Sequence, residues 1–392
     1  MRISHFLLNG SLDPKFGGPT YSVPIQCIGV QRKGADVSLV VYEASKPFED
    51  SLIESGVKMI NLPNPQNQFQ FSWATNLKKY LAGCQDLPNI LHFHGVWMPS
   101  DLYVAQFGLK HNIPYVINPR GDLEIARINY NKWKHIKKKI AWKLYAKRIV
   151  EKAACIVATS EQERDSIRIL GCKTPVAVIP NGIELEHFPN EIVHNHGEKK
   201  ILLFLSRVNP IKGIEYLIEA WGQLPKDLRL DWELHIAGNS DPEDYIYTLV
   251  KKVNRLGLQE SIKFVGPIVG EDKMRKYQDS NLFILPTLNE NFGNVLAEAM
   301  MCECPVITTK NAPWGCLIED KCGWWIDLSI ENIVKALLES MSLSDEERHE
   351  LGVKSRLCII KRYSADSVAK KTYNLYEWVL GNSEKPDFVE TM

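Results

Sequence analysis

Two glutamates, Glu290 and Glu298, flank a polar, glycine-containing turn that leads into a helix-forming segment. The turn follows the apolar run 282–286, which predicts a buried strand, and residues 295–301 favour a helix. The N-terminus of a helix carries unsatisfied N–H groups and partial positive charge, so it suits a phosphate. Ionised carboxylates only accept hydrogen bonds, so the glutamates suit hydroxyl groups. Phosphate together with many hydroxyls describes a nucleotide sugar; an ordinary turn with solvated acids is the alternative.

Two cations, Arg207 and Lys212, flank a proline-containing loop after another predicted strand. A helix is predicted to begin at Gly213, and no acidic residue lies within the loop. A diphosphate needs neutralisation of this kind, from point charges and a helix start together. The loop therefore predicts a second part of the same site.

Three glycines lie at further predicted strand ends. Gly17 and Gly18 form a pair after the first strand, where they allow a ligand to approach the backbone closely; a plain tight turn is the alternative. The pair is not part of a G-x-G-x-x-G pattern, which disfavours a dehydrogenase-type dinucleotide domain. Gly266 ends another strand, where exposed backbone could meet a nucleotide base.

Polar side chains end the fourth and fifth predicted strands. His94 lies where it could meet a substrate hydroxyl or phosphate, or serve a structural purpose. Arg120, within the segment from Asn118 to Asp122, offers a planar fork for phosphate or carboxylate. An ion pair with Asp122 or Glu124 is the alternative for this arginine.

The segment Lys132–Arg148 contains eight Lys or Arg residues and no acid. Its apolar residues recur at helical spacing, at Trp133, Ile136, Ile140 and Leu144. This pattern predicts a basic amphipathic helix suited to an anionic membrane surface. In the alternative, the apolar stripe packs on the sheet and the lysines are solvated. A nucleic-acid partner is disfavoured, because the patch is local and the formal net charge of the chain is zero.

Composition predicts a globular enzyme of two domains: 392 residues, 45% hydrophobic and 24% charged. The nine cysteines include no C-x-x-C pair, which favours reduced thiols in a cytoplasmic protein. We expect no signal peptide, and no apolar run approaches the 18 residues of a membrane span. His194 and His196, in a polar stretch, could bind a metal, but an i, i+2 pair in a linker is usually solvated.

The chain alternates apolar runs with amphipathic segments, which predicts βα units and parallel sheets. The alternation pauses at the polar segment 184–200 and then restarts. We therefore predict an α/β protein of two Rossmann-like doubly wound domains facing across a cleft. The predicted domains are 1–186 with 364–392, and 187–363. Ligands bind beyond the carboxyl ends of parallel strands, where the residues above lie.

In its motifs the chain resembles the retaining glycosyltransferases of family four, which have the GT-B fold. The motifs occur in order along the sequence: Phe16-Gly-Gly-Pro19, Asn118-Pro-Arg-Gly121, Ala158-Thr-Ser-Glu161, Ile179-Pro-Asn-Gly182, Ser206-Arg-Val-Asn-Pro-Ile-Lys-Gly213 and Glu290-x7-Glu298. Trp314 and Gly323-Trp-Trp325 are similar to bacterial surface-polysaccharide members.

The resemblance implies roles on the donor side. Arg207 and Lys212 would neutralise the diphosphate of a UDP- or GDP-linked sugar, and Glu298 would bind ribose hydroxyls. Gly17 and Gly18 would close on the diphosphate. Glu290 would hold the sugar and leaving phosphate, together with the N–H groups of Phe292, Gly293, Asn294 and Val295.

On the acceptor side, His94 and Arg120 would face the reacting sugar or the acceptor, with Asn118 and Asp122 beside them. The resemblance implies a metal-independent reaction without a cofactor, and no D-x-D motif occurs at these strand ends. A same-face displacement, in which the leaving phosphate takes the acceptor's proton, fits better than a covalent intermediate. The latter would need a carboxylate nucleophile, for which Asp13, Asp101 and Asp122 qualify only by location.

The predicted function is retaining transfer of a hexose-type unit to a glycan or lipid-linked saccharide acceptor. Capsule, O-antigen or exopolysaccharide synthesis is the expected context, in the cytoplasm or on the inner face of the membrane. Two alternatives stay open: a nucleotide-sugar epimerase of GT-B fold, and an inactive membrane-surface scaffold that keeps the fold.

Overall fold

The computed structural model describes residues 1–8, 12, 18–63, 74–123, 138–194 and 197–392. They divide into two compact units. Unit 1 comprises 1–183 and 363–392, and unit 2 comprises 184–362. Gly17, Asp13 and Glu124 lie outside the described residues, as do residues 132–137 of the basic segment.

Each unit is built on one mainly parallel sheet. The strands are β1 (Arg2–Leu7), β2 (Asp36–Val41), β3 (Lys58–Asn61), β4 (Ile90–His94), β5 (Tyr115–Asn118), β6 (Cys155–Ala158), β7 (Val176–Val178), β8 (Lys200–Leu205), β9 (Trp232–Ala237), β10 (Ile262–Gly266), β11 (Leu282–Leu285), β12 (Val306–Thr309), β13 (Gly323–Ile326) and β14 (Val389–Glu390). Their order is β14-β7-β6-β5-β4-β1-β2-β3 in unit 1 and β10-β9-β8-β11-β12-β13 in unit 2. Central strands such as β4, β5 and β11 are buried throughout, which explains their apolar runs. The predicted class, two α/β domains with parallel sheets, is confirmed.

Helices connect successive strands. They are α1 (Gly18–Arg32), α2 (Lys46–Glu54), α3 (Thr75–Ala82), α4 (Pro99–His111), α5 (Lys147–Lys152), α6 (Glu161–Ile169), α7 (Ile214–Gln223), α8 (Lys226–Leu230), α9 (Tyr245–Arg255), α10 (Gly270–Gln278), α11 (Asn294–Met301), α12 (Cys316–Glu319), α13 (Ile330–Met341), α14 (Asp345–Tyr363) and α15 (Ala365–Val379). In the part of the chain with described coordinates, no helix combines the length and the apolar character needed to cross a membrane.

The last helix, α15, belongs to unit 1 and packs on α1. A Cβ at Gly29 would lie 2.7 Å from the Cβ of Ala369, so glycine permits the close approach of these helices. After α15 the chain adds β14, which pairs antiparallel with β7. The polar C-terminal residues predict no such strand.

The described part of the basic segment is helical, but the predicted apolar stripe is not the face of the helix that packs on the rest of the unit. A π-helical turn, Trp142–Ala146, interrupts the helix and changes its register. Trp142 packs near Trp97, with ring centroids 6.1 Å apart, and the Tyr145 hydroxyl donates to the carbonyl of Trp97. Leu144 is 75% exposed and Ile140 is also exposed. The alternative in which these two residues pack on the sheet is therefore wrong.

Candidate functional site

Two loops of unit 2 meet at the carboxyl ends of neighbouring strands. Because β8 lies beside β11, the loop 206–213 lies next to the turn 286–293. The Leu288 N–H donates to the Ile211 carbonyl at 2.8 Å, and the Thr287 hydroxyl donates to the same oxygen at 3.1 Å. The structure thus brings together the two segments that the sequence analysis singled out separately.

Gly213 makes this approach possible. Its φ is +71°, and a Cβ there would lie 1.9 Å from the Pro286 carbonyl oxygen. Just before it, the Asn209 side chain accepts from the Ile211 N–H at 3.0 Å and caps the short 3-10 turn Pro210–Lys212. The loop is therefore rigidly seated, with Lys212 buried at its end.

Lys212 forms a buried ion pair with Glu290, between Nζ and Oε2. The side chains are only 10% and 14% exposed, respectively. The acid that compensates Lys212 thus comes from the neighbouring turn, 78 residues along the chain. Two predicted catalytic side chains are therefore in direct contact.

Arg207 has a different environment. Its guanidinium lies 3.0 Å from Asp241 Oδ2, and its side chain is 65% exposed. An exposed pair of this kind contributes little to stability and can rearrange for an anionic ligand. The loop therefore offers one rigid and one adaptable cation.

The turn ends at the start of α11. Gly293 has φ +83°, and a Cβ there would lie 3.0 Å from Leu296 Cδ1 and 3.1 Å from Glu290 Cγ. Asn294 and Val295 follow as the first residues of the helix, where N–H groups lack intrahelical acceptors. Glu290 and this helix start are thus adjacent.

Trp314 fixes the backbone of that turn. Its Nε1 donates to the Phe292 carbonyl at 2.5 Å, and the two rings lie 5.2 Å apart. Trp314 itself is fully buried, and Trp325 Nε1 supports the neighbouring segment by donating to the Ala312 carbonyl at 2.8 Å. The sequence resemblance pointed to these tryptophans without giving this role.

Glu298 lies within α11, and its carboxylate is anchored through Oε2. This oxygen accepts from the Tyr277 hydroxyl at 2.9 Å and lies 2.5 Å from Lys273 Nζ. Burial first, and then the charge of Glu298, raise the pKa of Tyr277 well above its usual value. Tyr277 is thus a neutral donor, and Oε1 makes no hydrogen bond to the described residues.

Gly266 is one strand further from the two loops. β9 separates its strand, β10, from β8. Its carbonyl accepts from the Gly238 N–H at 2.9 Å, and a Cβ at Gly238 would lie 1.8 Å from the Ser206 carbonyl. A hydrogen bond and a close backbone contact thus connect Gly266 to the start of the loop 206–213.

In unit 1, Arg120 and His94 form one cluster, in which His94 is buried and Arg120 is partly buried. Arg120 Nε donates to His94 Nδ1 at 3.1 Å. The guanidinium also donates to three neutral groups: the Ser22 hydroxyl at 2.7 Å, and the amide oxygens of Asn181 and Gln26 at 3.1 Å each. Burial lowers the pKa of Arg120 to about 10, so it still carries its charge at neutral pH.

A directed chain of hydrogen bonds continues from His94. Because Arg120 can only donate, His94 must accept at Nδ1 and donate from Nε2 to His5 Nδ1, 3.1 Å away. His5 then donates from Nε2 to the Tyr376 oxygen at 3.2 Å, and Tyr376 donates to His92 Nδ1 at 2.6 Å. Burial lowers the pKa of His5 to about 3, and it holds those of His92 and His94 well below their usual values. The three imidazoles are therefore neutral, each in one tautomer.

The other predicted acceptor-side residues lie close in sequence to this cluster. Asn118 is buried, and its Oδ1 has no hydrogen-bond partner among the residues with described positions. The Asp122 carbonyl accepts from Trp97 Nε1 at 2.9 Å. Gly18, which was predicted to bind the donor, is the first residue of α1, and its carbonyl accepts from the Ser22 hydroxyl at 3.0 Å. Both ring nitrogens of His94 are engaged by protein groups.

Asp101 is a poor candidate for a nucleophile. The side chain is buried in the first turn of α4, where Oδ2 accepts from the Met98 N–H at 3.0 Å. Burial raises the pKa of this carboxyl to about 8. It is therefore largely protonated at neutral pH, and a protonated carboxyl does not attack an anomeric carbon.

Two family models match successive halves of the chain. The model described as Glycosyltransferase Family 4 matches residues 17–187, and the one described as Glycosyl transferases group 1 matches residues 188–357. An uncharacterized glycosyltransferase of Methanocaldococcus jannaschii is 31% identical over 183 residues, which are 46% of this chain and 45% of the relative. O-antigen chain mannosyltransferase B of Escherichia coli is 27% identical over 176 residues, 45% of either chain. The chain spans about half the length of the curated relatives it matches.

Solved structures show the same fold along nearly the whole chain. Sucrose-phosphate synthase from Thermosynechococcus elongatus has a TM-score of 0.78 at 20% identity and covers 97% of this chain and 100% of its own. HepE from Anabaena, solved in complex with UDP and glucose, has a TM-score of 0.73 at 15% identity, covering 96% and 100%. At these identities the likeness concerns the fold alone.

Proposed function

Because the chain belongs to family four of the glycosyltransferases, which have the GT-B fold, we propose that it transfers a sugar from a nucleotide sugar to a saccharide acceptor. Unit 2 binds the donor, a UDP- or GDP-linked hexose, and no metal is needed. The observation that carries the proposal is the buried Lys212–Glu290 pair at the junction of the two loops and the start of α11.

This junction fits a departing diphosphate. The Lys212 ammonium has three donors, of which Glu290 uses one, so the others can reach phosphate oxygens. Arg207 turns from Asp241 to the diphosphate, and the first N–H groups of α11 face the same charge. These cations and dipoles are fixed before the reaction, where they stabilise developing negative charge without reorganisation.

The carboxylates grip the sugar and the ribose. The second oxygen of Glu290 accepts from a sugar hydroxyl, while Oε1 of Glu298 accepts from ribose hydroxyls. Tyr277 and Lys273 hold the Glu298 carboxylate in position from the opposite oxygen. Neither glutamate moves a proton in this scheme.

Transfer proceeds with retention by same-face displacement. The bond from the anomeric carbon to the leaving phosphate oxygen breaks, and a bond to the acceptor oxygen forms on the same face. The acceptor's proton passes to the leaving phosphate. The protonated state of Asp101 supports this route over a covalent intermediate on that carboxyl.

The acceptor is a glycan or lipid-linked saccharide in the synthesis of a cell-surface polysaccharide. The likeness to an O-antigen chain mannosyltransferase supports this context, and the UDP bound to HepE supports the donor class. The exposed residues Ile140 and Leu144, beside the exposed cations Lys139, Lys143 and Lys147, lie on an anionic membrane surface. Arg120 and His94 orient the acceptor side of unit 1.

A two-step experiment tests this function. A thermal-shift screen of the purified chain against UDP- and GDP-sugars should identify a stabilising donor. Incubation of that donor with and without saccharide acceptors should then give product only when an acceptor is present. Turnover of the donor alone would identify an epimerase, and absence of stabilisation by every nucleotide sugar would favour the inactive scaffold.

A further inference from the structure

Three side chains of unit 2, apart from the proposed donor site, have the composition of a transition-metal site. We infer that His194, Glu303 and His349 bind a Zn²⁺ ion. Their ligand atoms all lie within 4.8 Å of one another. Two imidazoles and one carboxylate, completed by a water, are an established tetrahedral ligand set for zinc.

His194 has the tautomer that a metal ligand needs. Its Nδ1 lies 2.9 Å from the backbone carbonyl of Gln278. A carbonyl oxygen can only accept, so Nδ1 carries the proton and Nε2 carries the lone pair. Metal-bound histidines usually make such a second hydrogen bond, which fixes the ring and raises the basicity of the ligating nitrogen.

Glu303 and His349 are held together by helix packing. Glu303 follows α11 with φ +55°, a conformation uncommon for a residue with a side chain. A Cβ at Gly352 would lie 2.0 Å from the Glu303 carbonyl, so α14 packs directly on this backbone. Gly352 is one helical turn from His349 on α14, and the two ligands are therefore fixed on contacting elements.

The neighbouring Arg356 leaves the carboxylate accessible to a metal. Its NH1 donates to the Met301 carbonyl at 3.0 Å, and its NH2 donates to the Pro189 carbonyl at 2.6 Å. Its NH1 also forms an ion pair with Glu303 Oε1 at 3.8 Å, which is too long for a hydrogen bond and leaves Oε2 to face a metal. The C-terminal end of α11, which lies beside Glu303, adds partial negative charge that favours a cation.

A second histidine group, His5, His92 and His94 in unit 1, also has its ring nitrogens within 4.8 Å of one another but is unsuitable for a metal. The Arg120 guanidinium donates to His94, and the group is completely buried. A metal ion there would add a second cation in a site of low polarity.

In unit 2, by contrast, His349 is exposed and can turn. Zinc–ligand bonds of about 2.0–2.1 Å place tetrahedral ligand atoms roughly 3.3 Å apart. The ligand atoms of the three side chains therefore need to approach one another only slightly to bind the ion.

Titration calorimetry of the full chain, freed of metal with EDTA and then dialysed, tests the site. We expect one Zn²⁺ per chain and no binding of Mg²⁺, which prefers oxygen ligands. His349→Ala and Glu303→Gln should each weaken Zn²⁺ binding at least about tenfold. His187→Ala should leave it unchanged; this matched histidine also lies beside a glutamate, 3.3 Å from Glu184, but outside the group.

Cobalt substitution tests whether any of the nine cysteines binds the metal instead. Co²⁺ in the proposed site should absorb without the charge-transfer band of a thiolate ligand, and circular dichroism in EDTA should show that the variants fold. Lack of stoichiometric Zn²⁺ binding by the wild-type chain, unchanged binding in both ligand variants, or a thiolate band would each overturn the inference. None of these results would affect the proposed donor site.

Discussion

At the scale of single residues, burial decides which charged groups can do chemistry. Lys212 and Glu290 form a buried ion pair, in which each side chain has a partner of opposite charge. Asp101 lacks such a cation among its hydrogen-bond contacts and becomes protonated instead. His94 is neutral because burial, and then the charge of Arg120, hold its pKa well below the usual value. These four groups thus show three electrostatic outcomes: an ion pair, a protonated acid and a neutral imidazole.

Asp101→Asn should stabilise the protein more at pH 8 than at pH 5. The carboxyl has a raised pKa of about 8 in the folded state, against 3.8 in an unfolded chain. The folded state therefore binds the extra proton between these values, and its stability falls as the pH rises through this window. Asparagine keeps an acceptor for the Met98 N–H but does not ionise.

The difference between variant and wild type in the free energy of unfolding should grow by about 3.5 kcal/mol from pH 5 to pH 8. Chemical denaturation of both proteins at the two pH values measures it. A difference that is independent of pH would show that Asp101 ionises normally in the folded protein.

At the scale of elements, the turn before α11 depends on Trp314. Trp314→Phe removes the donor to the Phe292 carbonyl and leaves that oxygen buried without it, at a cost of about 1–3 kcal/mol. We expect the affinity for the nucleotide sugar to fall roughly tenfold, since this turn positions the helix N-terminus for the phosphate.

Trp221→Phe is the matched control for this change. Trp221 is also fully buried in unit 2, and its Nε1 donates to the Ser261 hydroxyl at 3.1 Å, away from the turn. Both variants should lose stability in thermal unfolding, but only Trp314→Phe should lose donor affinity in calorimetry. Equal affinity losses would mean that Trp314 acts only through general stability.

The basic helix gives a second prediction at this scale. Leu144→Asp should weaken binding to anionic phospholipid vesicles at least about tenfold, because burial of a leucine side chain is worth about 1.5–3 kcal/mol. Leu230→Asp, a comparably exposed leucine on α8, should have no effect. Cosedimentation with vesicles measures both, and equal binding of the two variants and the wild type would contradict the proposed membrane contact.

Strands and strand ends were predictable because buried parallel strands give long apolar runs. The five-residue α8 and the four-residue α12 are too short for a helical period to be recognised in the sequence. The convergence of the loop 206–213 and the turn 286–293 could be predicted, because the carboxyl ends of parallel strands lie at one edge of a sheet. The ion-pair partners of the two cations could not be predicted from the sequence. Glu290 lies beside Lys212, and Asp241 beside Arg207, only because of the order of the strands.

The hydrogen-bond chain of unit 1 was hidden for the same reason. His5 and His92 are directly opposite in the register of β1 and β4, which the sequence does not specify. Tyr376 arrives from α15, 371 residues after His5. Similarly, the sequence pairs His194 with His196, and only the fold places Glu303 and His349 beside it.

At the scale of the whole molecule, the two units should respond differently to donor. A nucleotide-sugar concentration of about 100 times the dissociation constant should stabilise unit 2 by about 2.7 kcal/mol. Hydrogen exchange should therefore slow in residues 206–213 and in α11. Protection confined to unit 1 would contradict the assignment of donor binding to unit 2.

The most direct test of the central claim, that Lys212 supports sugar transfer, is the transfer activity of the Lys212→Met variant. Methionine keeps much of the side-chain volume but not the charge. With the donor and acceptor found by screening, kcat/KM should fall by about 10²–10³, as for loss of a key transition-state donor. Lys310→Met, which removes an exposed lysine 2.8 Å from Asp327 in the same unit, should retain wild-type activity. Wild-type transfer by a folded Lys212→Met variant would contradict the account.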